Sequence, residues 1–108
     1  MNYLEFTAAN KEYRLKLTTR ATIALEKRIG VNPLAIFGEG DKIPTVTEMV
    51  AILHAALQQY EHGITLEDAY TIFDSWLDEG HVVTDFLTVI VDIYKVSGLI
   101  KGGNSEKN

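Results

Sequence analysis

The chain contains no cysteine, which excludes disulfides and thiolate metal sites and suits a reducing compartment. No apolar run approaches the roughly 20 residues that a membrane-spanning helix needs. Met1-Asn2-Tyr3-Leu4-Glu5 resembles neither a basic leader nor an apolar one, so no secretory signal is expected. Serine is scarce: Ser75, Ser97 and Ser105. None sits in a strand-turn-helix elbow or has a local histidine partner, so nucleophilic catalysis has little to work with.

The histidines, His54, His62 and His81, lack metal-ligand spacing and are expected as a boundary, a helix-end and a turn residue. Asp74 and Asp78 are one helical turn apart, but on a face expected to be wet, where nothing tunes a carboxylate. Gly38-Glu39-Gly40 lacks the lysine and hydroxyl residue of a phosphate loop and follows no strand. No catalytic residue, cofactor or metal is therefore expected, and the protein is not expected to be an enzyme.

A length of 108 residues, 46% apolar and 23% charged, implies one domain with a core that hides roughly two-thirds of the unfolded surface. Net charge is −5 and uneven: residues 1–42 carry seven Lys/Arg against five Asp/Glu, residues 43–108 three against ten. The second segment is thus near −7, and such a surface repels phosphate backbones. Thr65 to Glu79, which a helix-turn-helix would use for recognition, has five acidic residues and no Lys or Arg. Nucleic acid is not an expected partner, nor is a membrane.

Tyr3–Ala8 and Lys11–Leu17 alternate with period two. With Ala9-Asn10 as the turn, Leu4 faces Leu15, Phe6 faces Tyr13, and Glu5 faces Arg14. A one-residue slip would break both the apolar face and the charge pair. Ala9 suits a tight turn poorly, which leaves a longer loop open. Thr18 or Thr19 caps a first helix to about Ile29, buried through Ala21, Ala24, Leu25 and Ile29, with Gly30 as the stop. Asn32-Pro33 starts a short turn in which Leu34 and Phe37 are expected to plug the core. Residues 38–44 read as a mobile loop.

Thr45 with Glu48 opens the second helix, which His62-Gly63 ends; Thr65 with Asp68 opens the third, which Gly80 ends. The third buries Leu66, Ala69, Tyr70, Phe73, Trp76 and Leu77. The fourth runs from Val83 or Thr84 to about Ser97. The class is α+β: an N-terminal β-hairpin packed on a mainly antiparallel body of about four helices plus a short helical turn. Residues 1–100 form the domain and 101–108 a flexible polar tail.

The fourth helix has one apolar stripe in Val83, Phe86, Leu87, Ile90 and Tyr94. A second holds Val82, Val89, Ile93 and Val96, and Leu99-Ile100 continues it. Either this helix is central and surrounded, or the second stripe docks a partner. Burying four such side chains contributes about 6–10 kcal/mol before ordering costs.

Three stretches carry a family resemblance: NYLEFTAANKEYRLKLTTRATIALEKRIGVNPLAIF, IPTVTEMVAILHAALQQYEHGITLEDAYTIFDSWLDEG and TDFLTVIVDIYKVSGLI. Together they resemble the tail assembly chaperones of Gram-positive siphophages and prophages, from Asn2 to about Ile100. The elements are the run from Asn10 to Arg20, the run from Leu25 to Phe37 and the turn His62 to Thr65, none of them catalytic. The resemblance implies a non-structural morphogenesis factor in the bacterial cytoplasm. It would coat the helical, apolar tape measure protein until the tail tube protein polymerises around it. It also implies that a longer, frameshifted form can exist, with which the polar tail is compatible. The alternative is a structural tail component, such as a completion or connector protein. Val82, Val89, Ile93, Val96, Leu99 and Ile100 are the expected contacts to the client or to a second copy. Charged replacements at Val89 and Ile93 are expected to abolish association and spare the helical circular dichroism.

Overall fold

Alternation in the first fifteen residues builds the hairpin. In the computed structural model, which describes residues 2–37 and 42–102, β1 (Leu4–Ala8) and β2 (Lys11–Leu15) pair antiparallel. The register is Leu4↔Leu15, Glu5↔Arg14 and Phe6↔Tyr13. Ala9 and Asn10 close it in two residues at φ 54° and 63°, the two positive angles that a type I′ turn requires. Phe6, Ala8, Tyr13 and Leu15 face inward. Arg14 does not spend its charge on Glu5. Its guanidinium lies 5.4 Å from the Tyr3 ring centre and 5.1 Å from that of Tyr60, a cation–π clamp on the hairpin edge.

Four helices follow: α1 (Thr19–Ile29), α2 (Val46–Leu57), α3 (Leu66–Asp78) and α4 (Phe86–Val96). Their starts follow from side-chain chemistry. Thr18 Oγ1 accepts the Ala21 N–H at 3.1 Å. Thr45 with Glu48 and Thr65 with Asp68 form reciprocal capping boxes, each bond 2.9–3.0 Å. Gly30, at φ 76°, stops α1. Before α4, Val83–Asp85 makes a single 3₁₀ turn, held by the Asp85 carboxylate accepting the Val82 N–H at 3.0 Å.

The hub of the core is α2, not α4. Met49 to Leu53 and Ala55 to Leu57 are all buried. α1, α3, α4 and β2 all pack on α2. Ala51, Ala55 and Ala56 allow this, because small side chains let neighbours approach from several sides. α2 ends at Leu57, before His62-Gly63. The main chain stitches the layers together. Lys16 N–H reaches the Ala56 carbonyl at 3.0 Å, one of the last-turn acceptors α2 leaves open. Leu17 N–H donates to Ser97 Oγ at 2.8 Å, and Ala9 N–H to Glu79 Oε2 at 2.6 Å.

Three burial expectations are corrected. In the 3₁₀ turn Pro33–Ala35, Pro33 and Ile36 are buried while Leu34 is exposed and Phe37 only half-buried. A 3₁₀ turn repeats every three residues, so Ile36 shares the column of Pro33. In α3, Ile72 is buried and Tyr70 is 45% exposed; the inward arc centres on Ala69, Phe73 and Trp76, and Ile72 flanks it. In α1, Ala24 is exposed. Of the expected loop, Gly38–Asp41 lie outside the described residues, as do residues 103–108 of the expected tail. No described helix is long and apolar enough to cross a membrane.

Tyr94 joins α4 to the turn after α1. Its hydroxyl donates to the Pro33 carbonyl at 2.7 Å in a buried setting, and burial pushes the phenol above the ordinary tyrosine range. Tyr94→Phe removes the shorter of the two bonds to that carbonyl and leaves it the Ile36 N–H at 3.4 Å, and losing one such bond costs about 0.5–1.5 kcal/mol. Denaturant titration will show that loss with an unchanged m-value.

Candidate functional site

α4 turns Phe86, Ile90, Ile93 and Tyr94 inward, all essentially inaccessible. Ile93 was expected on the partner-binding strip and is instead core. It stands three residues from Ile90 and seven from Phe86, so the helical period places it in their column. The other five expected residues remain at the surface. Val82 is 59% and Ile100 38% exposed; Val89, Val96 and Leu99 are half-buried. Val89 and Val96 lie seven residues apart on one side of α4, and Val82, in extended backbone, precedes the 3₁₀ turn that leads into the helix.

The C-terminal end of this strip meets α1. Leu17, Ile23 and Leu99 line a shallow groove of about 550 Å³ together with Thr18, Thr19 and Ser97. Ile23 is 47% exposed and was absent from the expected set. The signal was available: Ala21, Leu25 and Ile29 define the inward stripe of α1, and Ile23 lies off it. Ser97 anchors this end through Leu17 N–H, and Leu99 N–H returns to the Tyr94 carbonyl at 2.9 Å.

A second surface lies where α1 and α3 flank α2. Between α2 and α3 is a groove of about 780 Å³ lined by Val46, Leu66, Tyr70 and Phe73, with Arg28 and Asp74 at its border. Val46 is 49% and Tyr70 45% exposed. Between α1 and α2 is a groove of about 870 Å³, floored by alanines and bordered by Arg20, Lys27 and Arg28.

The family model described as Family of unknown function (DUF6096) matches residues 6–108. The chain belongs to DUF6096. No curated protein and no solved structure matches it. The family match takes in nearly all of the hairpin and all four helices, so both surfaces lie within the DUF6096 region.

The polar side chains of this DUF6096 chain serve structure where their partners are visible. His54 Nε2 lies 3.2 Å from the Ile64 carbonyl, which the Nε2–H tautomer satisfies. Gln58 donates to the same oxygen at 3.0 Å, so the two side chains close the α2–α3 turn. Burial holds the His54 imidazole below the ordinary histidine range. His81 stacks on Trp76, ring centres 4.3 Å apart and 6° from parallel, and stands 3.8 Å from Asp85. His62, Asp74 and Asp78 are exposed. Among the described residues, no group of three or more His, Cys, Asp or Glu side chains could hold a metal ion.

Proposed function

We propose that the protein is a phage tail assembly chaperone, which holds the tape measure protein by its apolar helices until the tail tube protein replaces it. The observation that supports this reading most is the aliphatic edge running from Val82 through Val89 and Val96 to Leu99 and Ile100, where Ile23 of α1 joins it. Side chains half-exposed in a row suit a reversible helical client: they bury enough area to bind, yet remain tolerable in water when free. The acidic balance of residues 43–108 keeps the loaded complex soluble.

Co-expression with a tape measure protein followed by pull-down tests the reading. The wild-type chain will retain the client. Ile23→Asp, Val96→Asp and Ile100→Asp together will lose at least tenfold of it, with helical circular dichroism unchanged. Undiminished retention would remove the strip from the mechanism. Purified virions decide between this reading and a structural tail component. A chaperone is absent from them, whereas a completion or connector protein is present at fixed stoichiometry.

A further inference from the structure

The α1–α2–α3 face carries opposite charge on its two walls. On α1, Arg20, Lys27 and Arg28 are exposed and border the groove against α2. Arg20 and Lys27 are seven residues apart and share a helix column about 10 Å long. On α3, Glu67, Asp74 and Asp78 are exposed; Glu67 and Asp74 are also seven apart, with the same rise. None of these six side chains forms an ion pair with another described residue. Arg28 and Ala51 line both grooves. The two grooves are therefore one continuous concave face, with α2 as its floor, a positive wall on α1, and a negative wall on α3 that Asp74 lines and Glu67 continues seven residues back along the same helix column.

Such a face is complementary to itself. A half-turn about an axis through the floor brings the positive wall of one copy against the negative wall of the other, twice. We propose that this face is a two-fold interface between two copies of this chain, with α1 of each protomer against α3 of its partner. The equal spacing lets Arg20 and Lys27 meet two carboxylates at once. Ala21, Ala24 and Ala55 line the α1–α2 groove, so a helix can approach closely there. The same contact removes Val46 and Tyr70 from water, two of the large apolar side chains left exposed in one copy. No α4 residue lines this face, so of the client edge the interface reaches only Ile23, which stands between Arg20 and Lys27 on α1. Client binding lost on Val96→Asp with Ile100→Asp, and dimerisation lost on Arg20→Glu with Lys27→Glu, keep the two readings distinguishable.

Sedimentation equilibrium of the purified chain tests this, with circular dichroism to verify folding. At low ionic strength the mass will be twice the 12.1 kDa of one chain. It will fall towards one chain in about 1 M salt, where charges are screened beyond about 3 Å. Arg20→Glu with Lys27→Glu makes both walls negative, and Glu67→Lys with Asp74→Lys makes both positive. Each double variant alone will be monomeric. Their equimolar mixture will form a one-to-one heterodimer, because both contacts are again attractive, and the quadruple variant will regain the homodimer. A monomeric wild type overturns the proposal, as do double variants that dimerise like the wild type or a mixture that stays monomeric. Species larger than two chains in the mixture also overturn it, since they require a head-to-tail contact. A monomeric wild type that binds a helical poly-glutamate peptide through Arg20 and Lys27 assigns the face to an acidic partner instead.

Discussion

Phe86→Ala will lower the unfolding free energy by about 3–5 kcal/mol, the range for removing a large buried aromatic. Phe86 is fully buried and is the point where three layers meet. Its ring centre is 6.2 Å from Phe6 on β1, and 5.2 Å and 5.5 Å from Phe73 and Trp76 on α3. All three contacts are near edge-to-face, with interplanar angles of 72° to 88°, the arrangement that favours ring quadrupoles. Alanine leaves a cavity that none of these neighbours can fill without leaving another partner. Phe6 is committed to Trp76 at 5.8 Å, and Trp76 is stacked on His81. A domain of this size has about 5–15 kcal/mol in total, so the variant will melt well below the wild type and show altered near-ultraviolet dichroism from Trp76. A loss under about 1 kcal/mol would mean that the hairpin and α3 do not share this cluster.

The sequence disclosed local structure well, because local structure is set by neighbours in the chain. The hairpin register was legible because a slip exposes Phe6 and Leu15 together. Both capping boxes were legible because Thr45 and Thr65 stand three residues before an acid. What it did not disclose was which helix lies in the middle. α4 has the more aliphatic wheel, yet α2 takes the centre, because Ala51, Ala55 and Ala56 admit neighbours that bulkier residues would hold off. A hydrophobicity pattern scores alanine weakly, so the better-packed helix looked like the lesser one. Ile93 went to the wrong stripe for another reason: both stripes of α4 are aliphatic, so polarity did not separate them, although its three- and seven-residue steps from Ile90 and Phe86 did. The two charged walls were visible only as a charge imbalance along the chain. Residues 20–28 and 67–78 become one face only after both helices dock on α2, a long-range event with no local signature.

Ile93 and Val96 differ by one turn of α4, and aspartate at each will separate core from surface. Ile93→Asp places a carboxylate where the wild-type side chain has no accessible area. Its neighbours in the inward column, Phe86 and Ile90, are apolar and can offer no donor. The group must either stay neutral, with its pKa driven up, or open the helix to water. Substitutions of this kind lie in the tail beyond about 4 kcal/mol, a large part of what such a domain has. Ile93→Asp will therefore lose cooperative unfolding at neutral pH. It will recover part of its helical signal as pH falls and the carboxyl takes up a proton. The sign follows from linkage: the folded-state pKa is raised above the unfolded value, so stability is greatest below the unfolded pKa and is lost as pH rises. Val96→Asp, on the half-buried side, can turn its carboxylate to water, and Lys95 stands beside it in the last turn. It will unfold cooperatively within about 2 kcal/mol of the wild type. Equal losses at the two positions would place both in the core, and the client would then need a surface other than α4.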